Sequence, residues 1–126
     1  MTVSALFFRD FEHVGWGDPS LCERYDALLS TVTVQCISAL LDAAGVRAGA
    51  NVLDVATGAG YVASAAAERG AKALGVDFSA AQVALARCMP QSRRMGQWMW
   101  DFPLGRASFC SAIPTAVRRA CGAPVL

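Results

Sequence analysis

Residues 51–61 read Asn51-Val52-Leu53-Asp54-Val55-Ala56-Thr57-Gly58-Ala59-Gly60-Tyr61, and this stretch decides the fold. Asn51 to Ala56 is short, partly β-branched and followed by a glycine loop, the pattern of a buried strand. Tyr61 to Arg69 is rich in alanine and stops at Gly70, which predicts a helix with a glycine terminator. Ala71 to Val76 forms the next strand. Ser79-x-x-Gln82 then has the capping-box form that opens a helix, here over about Ala80 to Arg87. Strand, loop, helix, strand, helix is the opening of an α/β fold, a Rossmann-like parallel sheet with flanking helices.

Upstream, Asp18-Pro19 has the form of an N-cap followed by proline at the first helical position. A helix over about Pro19 to Leu29 follows. Leu29, Val32, Ile37, Leu40, Leu41 and Ala44 then mark the apolar face of a second helical stretch, which Gly45 can end.

The chemistry lies where the elements join. Gly58 and Gly60 permit positive φ and remove side chains that would hold a ligand away from the backbone. The helix beginning near Tyr61 aims free N–H groups at the same place. Asp77, at the end of the second strand, can accept two hydrogen bonds from the vicinal hydroxyls of a ribose. Together these residues describe a crevice for an adenosine-type ligand at the carboxyl ends of the strands. Asp54 can serve the same crevice or cap nearby amides, and the two roles are compatible.

Val52 to Tyr61 and Gly75-Val76-Asp77-Phe78-Ser79 resemble the first two motifs of class I S-adenosylmethionine-dependent methyltransferases, most closely the ubiquinone/menaquinone-biosynthesis-like small-molecule group. Ala39 to Val46 is similar to the helix that leads into that fold, and the likeness covers about Phe11 to Arg87. The resemblance implies S-adenosylmethionine as cofactor. It implies that Asp54 and the loop Ala56, Thr57, Gly58 and Gly60 cradle the methionine part, while Asp77, with Phe78 beside it, holds the ribose. Ala56 stands where many relatives have the first glycine. A dinucleotide dehydrogenase is the nearest rival, but such an enzyme would normally show three glycines to admit a pyrophosphate.

The 126 residues, 55% of them hydrophobic, with a formal charge of +1, suit one globular domain and exclude a disordered chain. Near neutrality leaves no net field to draw nucleic acid or an anionic membrane. Acids interrupt every apolar run, and no basic region comes before the short apolar stretch at the start, so neither a membrane span nor a signal peptide is expected. Five cysteines without zinc or CxxC spacing read as free thiols in a reducing cytoplasm, with no metal site. His13, the one histidine, has no motif around it and reads as a surface or packing residue.

Neutrality is nevertheless a cancellation. Residues 1–87 carry nine acids and six bases, whereas residues 88–126 carry Asp101 and five arginines, giving −3 and +4. The shorter segment also holds four of the five prolines and two of the three tryptophans. Asp101-Phe102-Pro103-Leu104 and Ser108-Phe109 are a faint echo of the family's continuation, but Trp98-Met99-Trp100 occupies the place of its adenine-binding acid, and Cys110 replaces the acid after Ser-Phe. The segment reads as a frame-altered or fragmentary tail, as a degenerate continuation, or as a tail binding something acidic through Arg93, Arg94, Arg106, Arg118 and Arg119. On this reading residues 1–87 hold the N-terminal helices and the first part of the cofactor domain, and the fold is truncated.

Two functions follow. One is a methyltransferase acting on a small-molecule acceptor, or an N-terminal piece of one that is inactive. The other is a non-catalytic fragment pairing through an exposed sheet edge. Phe7, Phe8, Phe11, Trp16 and Tyr25 could wall an acceptor pocket, with core packing the expected job for most of them. No residue stands out as a catalytic base.

Overall fold

The computed structural model describes residues 5–88 and the backbone of 99–101. Two helices come first, α1 (Ala5–Gly15) and α2 (Pro19–Ala43). They are followed by β1 (Asn51–Val55), α3 (Tyr61–Glu68), β2 (Lys72–Asp77), α4 (Ala80–Cys88) and β3 (Met99–Asp101). The three strands are parallel in the order β1-β2-β3, with Asp54 opposite Gly75 and Asp77 opposite Asp101. Both crossovers step the same way across the sheet, and right-handed connections therefore place α3 and α4 on one face. Helix α2 packs against both.

The expected Rossmann-like architecture is present, with instructive departures. The two helical stretches predicted on either side of Leu29 are one continuous helix. No glycine or proline falls between Ser30 and Gln35, and Thr33 returns its hydroxyl to the carbonyl of Leu29 at 3.0 Å, so the β-branched run is absorbed without a break. The predicted N-cap is in place, with Asp18 accepting from the amide of Ser20 at 2.9 Å. The fusion gives a 25-residue helix that by length and composition alone could cross a membrane, a segment the sequence pattern did not predict. Ile37 and Leu41 of that helix belong to the core, packed with Ala63, Ala66, Ala73, Val83 and Ala86.

The expected packing of the N-terminal aromatics is overturned. Phe8 and Phe11 are 60% and 64% exposed, and Tyr25 is exposed as well. Phe8 and Phe11 lie on α1, which packs only weakly on the other described elements, and its last turn holds Trp16, whose indole N–H donates to Glu12 at 2.8 Å and whose ring meets Tyr25 edge-on. Cys22, Cys36 and Cys88 are free thiols, the first buried.

Strand β3 falls within the stretch after residue 87 that composition sets apart, and Met99 and Trp100 form its first two positions. The other readings of residues 89–126, including the arginines and the Ser108-Phe109 echo, lie outside the described residues, as does the side chain of Phe7.

Candidate active site

The site is the junction between β1 and α3, where the chain must leave a strand and enter a helix within five residues. Strand β1 ends one residue earlier than its composition predicts because Ala56 adopts φ +60°, a left-handed conformation that disfavours any residue with a Cβ. Gly58 and Gly60 follow with φ +55° and +81°. Three left-handed positions in five residues curl the loop back over the strand ends. The amide of Thr57 donates to the carbonyl of Val76 at 3.0 Å, and the amide of Gly60 to the carbonyl of Thr57 at 2.9 Å.

The alanine at position 56 stores strain that glycine would release. Ala56→Gly is expected to raise stability by roughly 0.5–1 kcal/mol, because the relief of a left-handed alanine outweighs the added freedom of the unfolded chain. Urea denaturation followed by circular dichroism would detect it, and a lowered midpoint would show that the conformation is not strained.

Asp54 and Asp77 hold the loop from its two sides. Asp54 Oδ2 accepts from the Thr57 hydroxyl at 2.6 Å and from the amide of Ala63 at 3.2 Å. Gly60, at the N-cap of α3, has no side chain to cap with, so an acid from the preceding strand satisfies that first-turn amide. Burial pushes the Asp54 carboxyl above the usual carboxylate range; the Thr57 and Ala63 bonds oppose this, and nearby Asp77 adds to it. Asp77 is almost wholly buried, and its two oxygens accept from the amides of Gly58 and Ser79, each at 2.9 Å.

The second of those bonds changes the predicted capping box. Ser79 does cap α4, its hydroxyl accepting from the Gln82 amide at 3.0 Å. The return bond to the Ser79 amide is taken by Asp77 rather than by Gln82, a carboxylate being the stronger acceptor. The Gln82 side chain is thereby released to line the cleft.

Asp54, Ala56, Thr57 and Gly58 line a cleft of about 220 Å³ whose opposite wall is α2, through Tyr25 and Asp26. Gly60 is buried at the helix start, and neither Asp77 nor Phe78 lines this cavity. Phe78 is half-buried and meets His13 edge-on, with ring centroids 5.8 Å apart. Sequence reasoning missed Asp26, Tyr61, Gln82 and Gly75. Gly75 carried a detectable signal, a glycine inside a strand, which marks close approach of another group. A Cβ there would sit 2.7 Å from Thr57 Oγ1.

The residues present suit an adenosine-containing sulfonium ligand. A Cβ at Gly58 would project to 3.8 Å from Gln82 Oε1, into space the glycine leaves open between two cleft residues. Asp77, almost wholly buried and outside this cavity, acts on the loop through the amides of Gly58 and Ser79. Among the described residues no group of His, Cys, Asp and Glu could hold a metal ion.

No curated protein and no solved structure matches the chain. Residues 53–110 match the family model of a methyltransferase domain, a match that takes in the glycine loop, both acids and β3. Over those residues the chain is therefore similar to a methyltransferase domain.

Proposed function

We propose that this chain binds S-adenosylmethionine at the β1–α3 loop and transfers its methyl group to a small-molecule acceptor in the cytoplasm, as an enzyme similar to the ubiquinone/menaquinone-biosynthesis group. The observation that carries the reading is the loop itself, three left-handed residues clamped between Asp54 and Asp77 within the segment that matches a methyltransferase domain. The cofactor supplies a methyl group on a sulfonium, already a strong electrophile. What the protein must add is position: Asp77 fixes the Gly58 amide, Asp54 fixes Thr57 and the first turn of α3, and the geometry of the cleft is set before any ligand arrives. A small acceptor is favoured by the formal charge of −3 over residues 1–87, the part that builds the cleft, which does not draw a nucleic acid to it.

Calorimetry with S-adenosylmethionine tests the reading, with Asp54→Asn as its control. Asparagine can keep Oδ1 where Oδ2 accepts from Thr57 and Ala63, while the charge is lost. The variant is expected to weaken binding at least about tenfold while leaving the fold intact. Its stability carries a sign as well. The folded-state carboxyl is raised, so its ionisation opposes folding, and that opposition is relieved as pH falls through the folded value. At pH 7 the variant should melt no lower than the wild type, with any advantage closing as pH falls. Absence of binding heat in the wild type overturns the proposal.

A further inference from the structure

Asp26 enters the cleft from α2, on the wall opposite the glycine loop, and is half-buried where its neighbours Glu23, Arg24 and Tyr25 are exposed. Its carboxylate is held in place. The hydroxyl of Tyr61, the first residue of α3 after the glycine loop, donates to Asp26 Oδ1 at 3.0 Å, linking residues 35 apart in sequence. Burial and the Asp26 charge both push the Tyr61 hydroxyl up, so it stays protonated and remains a donor. One of the roughly four acceptor positions of the carboxylate is used in this way.

The charge of the cavity gives that placement a meaning. Asp26 and Asp54 face it from its two walls, and no Lys, Arg or His lines it among the described residues. Asp54 is already committed through Oδ2 to Thr57 and Ala63. An anionic cleft without a basic counterpart favours a ligand with net positive charge. Before methyl transfer S-adenosylmethionine carries a sulfonium, an ammonium and a carboxylate, and has net charge +1. Afterwards it is the thioether S-adenosylhomocysteine, with net charge zero. The two share every other hydrogen-bonding group, so one unit of charge is the main property by which a site can tell them apart.

We propose that Asp26, oriented by Tyr61, is the residue through which the cleft favours the charged sulfonium cofactor over its neutral demethylated product. The inference rests on the function proposed above and adds to it a residue outside the two family motifs and a way for the spent product to leave.

The experiment is a pair of titrations, one with S-adenosylmethionine and one with S-adenosylhomocysteine, on the wild type, Asp26→Asn, Asp26→Glu and Tyr61→Phe. In Asp26→Asn the affinity for the sulfonium should fall about tenfold, the effect of one unit charge at about 6 Å in a partly solvated site, while affinity for the thioether changes less than about twofold. Asp26→Glu should restore part of the discrimination, and Tyr61→Phe should lose part of it. A merely structural role for Asp26 would weaken both ligands alike, and that result overturns the inference. The wild type gives a reading that does not depend on any variant folding: added salt should weaken sulfonium binding more than thioether binding, and a ratio that does not move with ionic strength also overturns it. Should the wild type bind neither ligand, the proposed function fails and this inference with it. Should it bind both while Asp26→Asn leaves their ratio untouched, the inference alone fails.

Discussion

Asp77→Ala is expected to lose about 2–4 kcal/mol of stability together with all measurable cofactor binding. The carboxylate is almost fully buried and satisfies two backbone amides, those of Gly58 and Ser79. Removing it strands two donors where water has little access, and each unpaired buried donor costs about 1–3 kcal/mol. Part of the loss is returned, because Asp77 also repels the nearby Asp54 carboxylate. Small domains hold only about 5–15 kcal/mol in total, so the variant should unfold at a much lower urea concentration. Asp77→Asn keeps the shape but can accept only one of the two amides and turns an NH2 toward the other, so it should fall in between. Urea titration followed by circular dichroism reads both, and an Asp77→Ala midpoint equal to that of the wild type would falsify the clamp.

Gly75→Val acts on the same loop from below. Gly75 lies opposite Asp54 in the sheet, and a Cβ there would stand 2.7 Å from Thr57 Oγ1, 3.0 Å from its Cγ2 and 3.1 Å from its Cβ. Thr57 is itself buried and tied to Asp54 at 2.6 Å, so it has nowhere to go without breaking that bond. Overpacking of this kind costs about 1–3 kcal/mol for one added carbon, and valine adds three. The variant should therefore be strongly destabilised and should bind no cofactor. A double-mutant cycle isolates the cause. In a Thr57→Ala background Gly75→Ala should cost clearly less than in the wild type, whereas equal costs in the two backgrounds would locate the damage elsewhere.

What the sequence disclosed, and what it withheld, follows from how far apart the interacting residues are. Asp18-Pro19 and Ser79-x-x-Gln82 declare their helix starts because cap and capped amide lie within three positions. The βαβ order is legible because its strands and helices differ in composition as well as period. The continuity of α2 was hidden by its threonine and valine run, where local propensity favours a break and packing of Ile37 and Leu41 overrides it. Strand β3 was hidden for another reason. Three residues carry no periodicity, and the pairing that makes Met99–Asp101 a strand resides in its partner β2. In the site, Asp54 and the glycines were visible from their motif, yet Asp26 was not, since the hydroxyl that positions it belongs to a residue 35 places away.

The anchoring of the N-terminal helices has a consequence for how the protein is made. The carbonyl of Trp16, at the turn between α1 and α2, accepts from the Ser79 hydroxyl, 63 positions later, and from the Cys22 thiol at 3.5 Å. Synthesis runs from the N-terminus, so the turn leaves the ribosome well before the residue that fastens it. Until α3 and α4 emerge α2 has neither to pack against, and Phe11, Val14, Leu28 and Val32, exposed even in the finished fold, meet the solvent together with Ile37 and Leu41. The nascent chain thus passes through a sticky stage that ends when β2 and α4 emerge, and chaperone demand should peak before residue 79 has cleared the exit tunnel.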